Sequence, residues 1–150
     1  MNDIALNKAA IIERCIHRIH QEYAADPTLT DDTHVDALTL NIERACQAAI
    51  DLAMHVVADR RLGMPQTSAE AFTLLHRAGL ISKDLEKHLR AMTGFRNVAI
   101  HQYQDLDTQI LHVIAQHGWK DFVEFCRSMG IKIKAMGLRA EGRGPRFKCP

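Results

Sequence analysis

The 150-residue sequence contains no C-x-x-C pair, no H-E-x-x-H element and no loop dense in Asp and Glu. Those absences remove the common metal-site signatures. His17 and His20 have the i, i+3 spacing of a metal pair, but no third ligand stands at motif spacing, so neither a metal nor another cofactor is expected. The four cysteines, Cys15, Cys46, Cys126 and Cys149, are scattered. The first three fall in predicted helices and read as small, reduced core or near-core residues, not a disulfide frame. No stretch approaches the roughly 20 apolar residues of a membrane span, and the N-terminal residues lack a signal-peptide pattern. The expectation is a soluble cytoplasmic protein with no membrane partner. Alternating strands are also missing, Ile131-Lys132-Ile133-Lys134 being the only short candidate. Nothing suggests an internal repeat or a second domain.

What is present is ordinary in amount and unusual in placement. A content of 47% hydrophobic and 25% charged residues fits one globular domain able to bury about two-thirds of its unfolded surface. The net charge of +1 hides an asymmetry. Residues 127–150 hold seven basic residues and one acid, a balance of +6, while residues 1–126 hold twelve basic and seventeen acidic, a balance of −5. The sequence therefore divides into a helical unit over 1–130 and a basic, Gly- and Pro-containing tail over 131–150 that is expected to be irregular. In that tail Arg139, Arg143, Arg146 and Lys148 could hold a nucleic-acid backbone by charge, with Phe147 free to stack on a base. A solubilising tail, or one that packs on a partner, accounts for the same composition.

The helices announce themselves by period. Ala5, Ala9, Ile12, Ile16, Ile19 and Tyr23 recur in steps of four and three over 3–24, ended by Asp26-Pro27. Thr30 is the expected N-cap of a second helix that carries Leu38, Ile42, Ala45, Ala49, Leu52 and Val56 and runs to about Arg60. Thr67-Ser68-Ala69-Glu70 has the form of a capping box opening a short helix through about Arg77, with Gly79 as its stop. Ser82 begins a fourth helix. Asp107 begins a fifth, whose seam of Leu111, Ile114, Gly118, Phe122, Phe125 and Met129 lasts until Gly130. Four long stripes of this spacing predict an all-α, antiparallel up-down bundle of four main helices plus a short one.

The fourth helix ends in Arg96-Asn97-Val98-Ala99-Ile100-His101-Gln102-Tyr103. Within two turns it holds an obligate cation, an imidazole that titrates near neutral pH and a phenol. Arginine matches phosphate oxygens bidentately and does not deprotonate; histidine can take and return a proton. Those are two of the three roles in cutting RNA without a metal: a base for the ribose 2′-hydroxyl, a cation for the phosphoryl oxygens, and an acid for the leaving oxygen. On a regular helix Arg96 and His101 point roughly 140° apart, Arg96 and Tyr103 nearly eclipse, and Asn97 and His101 share a face. The helix must therefore end or distort near His101, or a second copy must complete the site. A solvated face, with Tyr103 as a half-buried packing residue, is the plainer account. Against it, the stripe Leu85, Leu89, Met92 runs on to position 96, although Phe95 and Val98 could turn the stripe and leave Arg96 at its edge.

This octapeptide closely resembles the R-x4-H-x-Y signature of the HEPN superfamily in its HepT branch of toxin nucleases, and the helical pattern over roughly 5–130 is similar to the HEPN bundle. The resemblance implies a homodimer whose two motifs face one another across a cleft, with Arg96, Asn97 and His101 as the catalytic set. It implies an RNA substrate, tRNA or mRNA, and a cognate minimal nucleotidyltransferase antitoxin that transfers AMP to Tyr103. Two other functions stay open on sequence alone: a non-catalytic HEPN module that binds nucleotide or nucleic acid beside a nucleotidyltransferase, and a plain helical interaction protein. Monomeric behaviour would favour the last.

Overall fold

A computed structural model describes residues 2–134, and among these every regular element is helical. Helix α1 (Asp3–Ala25) is capped by Asn2, whose side-chain oxygen accepts from the Ala5 N–H. Its predicted stripe is buried. Asp26 breaks it, and this carboxylate organises the whole connection to α2 (Asp32–Asp59). It accepts from the backbone N–H groups of Thr30 and Asp31, at 3.3 and 2.8 Å. The Asp31 bond foremost, against the opposing effect of burial, holds its carboxyl below the ordinary range. Because Thr30 is drawn back to Asp26, the cap of α2 is Asp31, whose side chain accepts from Thr33 N–H at 2.8 Å, and not Thr30.

Helix α3 (Ser68–Arg77) starts on the predicted capping box, with Thr67 Oγ1 accepting from Glu70 N–H at 3.2 Å. Glu70 reaches back to the N–H of Gln66, one residue before the cap. Helix α4 (Lys83–His101) is capped by Ser82 as expected. The fifth rod is less regular than its period suggests. Asp107 caps α5 (Thr108–Val113), a π-helical turn spans Ile114–Gly118, and α6 (Trp119–Ser128) follows. The seam holds through this change: Leu111, Ile114, Phe122, Phe125 and Met129 are all buried. Gly118 belongs in it because a Cβ there would lie 2.8 Å from Met92 Cε on α4.

These faces meet in one core. Phe72 and Phe125 lock α3 to α6 edge to face, with ring centroids 5.5 Å apart and both side chains fully buried. Each such burial is worth about 1.5–3 kcal/mol. Cys15, Cys46 and Cys126 are buried free thiols, and burial pushes Cys46 and Cys126 up to about 12. His20 sits buried, edge-on to Trp119 at 4.5 Å, while His17 Nε2 lies 3.1 Å from the Lys134 carbonyl.

Residues 131–134 form no strand. Their period of two is nevertheless real: Ile131 and Ile133 are buried on the bundle while Lys132 and Lys134 are exposed. An extended chain alternates its side chains whether its neighbour is another strand or, as here, a helical surface. Among the described residues no helix is long and apolar enough to cross a membrane. Arg139, Arg143, Arg146, Phe147, Lys148 and Cys149 lie outside the described residues.

Candidate functional site

Helix α4 stays regular through His101 and breaks at Gln102, whose φ of −141° and ψ of 50° are not helical. The break comes one residue too late to turn His101 toward Arg96. The two side chains therefore leave the helix about 140° apart, as regular geometry demands. Tyr103 lies beyond the break, at the start of a 3-10 turn (Tyr103–Asp105), so the eclipsing of Arg96 and Tyr103 expected for a continuous helix does not occur.

The burial pattern settles which way the stripe turns. Leu85, Leu89, Met92, Phe95 and Ala99 are buried, and Arg96 is half-buried at their edge. Its Nε is fully covered and has no hydrogen-bond partner among the described residues. Its guanidinium leans toward α2 closely enough to favour the Cys46 thiolate, although burial dominates that thiol. Outward, Arg96 Nη1 donates to Asn97 Oδ1 at 3.3 Å. Among the described residues no carboxylate lies within ion-pairing distance of Arg96. A half-buried cation with no counter-charge is costly to hold and strongly attractive to an anion.

Asn97 and His101 are exposed one turn apart. The amide oxygen of Asn97 is engaged by Arg96, and among the described residues His101 makes no side-chain hydrogen bond. Tyr103 is 42% exposed, and its hydroxyl donates to Asp36 Oδ1 on α2. Burial first, then this bond and the Asp36 charge, push the phenol up to about 12. Asp36 was not legible as part of the site, because it lies 67 residues from Tyr103 with no local pattern joining them. In a Tyr23→Phe background, which leaves Tyr103 as the sole tyrosine, phenolate absorbance should titrate near 12, and Asp36→Asn should lower that midpoint. An unmoved midpoint would mean that Asp36 does not hold the hydroxyl in solution.

Around the motif the surface is apolar. Ile100, Ile110 and Val113 are 43%, 44% and 57% exposed. A cavity of about 370 Å³ opens between α4 and the α5–α6 rod, lined by Met92, Phe95, Ile110, Val113 and Ile114, with His88 and Asp121 paired at 3.2 Å on its rim. The arrangement thus offers an anion-seeking arginine, a free imidazole and an amide on one rigid helix end, beside apolar surface that a single chain leaves uncovered.

Comparison with known proteins gives consistent results. A family model described as ribonuclease HepT-like matches residues 10–129. The mRNA nuclease HepT of Shewanella oneidensis is 44% identical over 126 residues, covering 83% of this chain and 95% of that protein. The tRNA nuclease HepT of Aphanizomenon flos-aquae is 34% identical over 61 residues, 41% of this chain and 42% of that protein. Among solved structures, the tri-AMPylated Shewanella oneidensis HEPN toxin in complex with its MNT antitoxin superposes with a TM-score of 0.82 at 42% identity, covering 87% of this chain and 98% of that one.

Proposed function

The chain belongs to the HepT-like ribonuclease family, and on that premise we propose that it is the toxin of a toxin–antitoxin pair, a homodimeric, metal-independent RNA endonuclease. Its partner is a nucleotidyltransferase antitoxin that silences it by transferring AMP to Tyr103. The observation that carries the reading is Arg96: a half-buried guanidinium that, among the described residues, has one orphaned nitrogen and no carboxylate opposite, five residues along the helix from an exposed histidine.

In this mechanism the phosphate to be cut is bound by Arg96, whose orientation is set by Asn97. One His101 takes the proton of the ribose 2′-hydroxyl as that oxygen attacks phosphorus. The bond to the 5′-oxygen breaks, and a protonated imidazole returns a proton to it, leaving a 2′,3′-cyclic phosphate and a 5′-hydroxyl. A single chain cannot do all of this, because its own Arg96 and His101 diverge. The second copy supplies the other half, and the uncovered Ile100, Ile110 and Val113 support such a pairing. Of the two RNA classes, mRNA is favoured, because the relative named for it matches along nearly its whole length.

The test is cleavage of bulk cellular RNA by unmodified protein in excess EDTA. Wild type should cut and leave cyclic-phosphate ends, while His101→Ala should lose roughly a hundredfold to ten-thousandfold in rate. Equal cutting by the variant would place the chemistry elsewhere. No cutting by wild type, with Tyr103 unmodified by intact mass, would leave a non-catalytic binding module.

A further inference from the structure

Away from the motif, α3 and α4 enclose a polar cleft of about 490 Å³. At its floor is Glu86, only 6% exposed. Its Oε2 accepts from the Thr73 hydroxyl at 2.9 Å, but among the described residues its buried Oε1 has no hydrogen-bond partner, and the cation nearest to it is Lys83 Nζ at 3.7 Å. Exposed Arg77, Lys83 and Arg90 line the cleft with it, as does Glu70, whose carboxylate is engaged by the Gln66 N–H; Arg90 is already positioned by a 2.6 Å bond to Thr73 Oγ1. A buried acceptor in a cleft that holds three cations and one other, already engaged, carboxylate is a site for a ligand that is anionic at one end and donates hydrogen bonds at the other.

The cleft is connected to the motif by helix geometry. Counting about 100° per residue, Glu86, Arg90, Gly94, Asn97 and His101 all lie within about 40° of one line along α4. Gly94 is exposed on that line, and a Cβ there would meet nothing within 4 Å among the described residues. The helix therefore presents an open, polar track about 22 Å long from Glu86 to His101.

We propose that this track is the path of the RNA strand and that the α3–α4 cleft is a guanine-reading subsite, with Glu86 taking the base and Arg77, Lys83 and Arg90 the adjoining phosphates. The choice of base follows from donor pattern. Guanine's Watson–Crick edge carries two adjacent donors, N1–H and the N2 amine, which suit a carboxylate. Adenine, cytosine and uracil place an acceptor beside the donor, and it would face the carboxylate's oxygens. The inference rests on the nuclease reading, and it adds that cleavage falls at a set offset from a guanosine.

Binding of short RNAs, 2′-O-methylated at every ribose so that they are not cut, tests it by fluorescence anisotropy. Each has a uridine background with one guanosine, one inosine or neither. Wild type should prefer the guanosine RNA about tenfold or more over the other two. Inosine lacks only the N2 amine, so this comparison needs no variant to fold. Glu86→Gln should erase the preference. Arg90→Ala should weaken all three RNAs alike and reduce the slope of log K against log salt by about 0.7. RNA binding with no guanine preference, or untouched by both variants, overturns the subsite and leaves the nuclease reading standing. Absence of any RNA binding overturns both. Loss of polyglutamate binding in Arg90→Ala with RNA binding intact would show that the cleft takes an acidic protein partner instead.

Discussion

Arg96→Met should reduce RNA cleavage on the order of a thousandfold while leaving thermal stability unchanged or raised. The activity loss follows from removing the cation aimed at the phosphoryl oxygens, a donor worth that much in a water-poor site. The stability result follows from the same atoms. Arg96 Nε is buried with no partner, and no carboxylate offsets the charge among the described residues. An orphaned buried polar group costs about 1–3 kcal/mol, and an unbranched apolar side chain of similar reach removes that cost while filling the space beside Cys46. Opposite signs in the two measurements distinguish a functional arginine from a structural one. Initial rates on a fluorogenic RNA and a melting curve suffice to check it. A variant that cuts within tenfold of wild type, or melts many degrees lower, would show that Arg96 holds the fold and not the substrate.

Tyr103→Phe should cut RNA as wild type does yet escape silencing completely when the partner nucleotidyltransferase and ATP are added. Catalysis should survive because the hydroxyl faces Asp36 on α2, and among the described residues it bonds to neither Arg96 nor His101. Both it and Asp36 are exposed, so water replaces the lost bond at little cost to stability. Silencing should fail because no acceptor oxygen remains. In wild type the transferred phosphate would replace the proton donated to Asp36, and Asp32 and Asp36 would then repel the new anion from α2. The added AMP puts an anion and a nucleotide's bulk at the helix end that carries His101, against the approach of the substrate phosphate. Intact mass and residual cleavage report the two halves of the argument. Equal silencing of wild type and Tyr103→Phe would mean that the partner acts by covering the site, or modifies another residue.

A sequence records local physics best. The caps at Thr67, Ser82 and Asp107 are legible because each helix start leaves N–H groups that a neighbouring side chain satisfies within three residues. Thr30 failed for an instructive reason: Asp26, four residues before it, accepts from both its N–H and its hydroxyl and draws it away from the helix start. The seam over 111–129 was visible, but the π turn inside it was not, since a period near 3.6 survives one widened turn.

At the motif the same division recurs. The amino-acid order alone determined the helical bundle, the family resemblance and the divergence of Arg96 from His101, all consequences of helix periodicity and of residue types at fixed spacing. It left Arg96 poised between core and edge, because positions 95 and 96 sit almost equally well on the stripe that passes Met92. Only the packing of α4 on α2 decided that Phe95 goes in and Arg96 lies at the rim with a covered nitrogen that has no partner among the described residues. Asp36 beside Tyr103, and Glu86 beneath three cations, came likewise from tertiary contact alone. Helices set their own periods, but what faces a side chain across the interface depends on chain segments far away in sequence, and no local pattern records it.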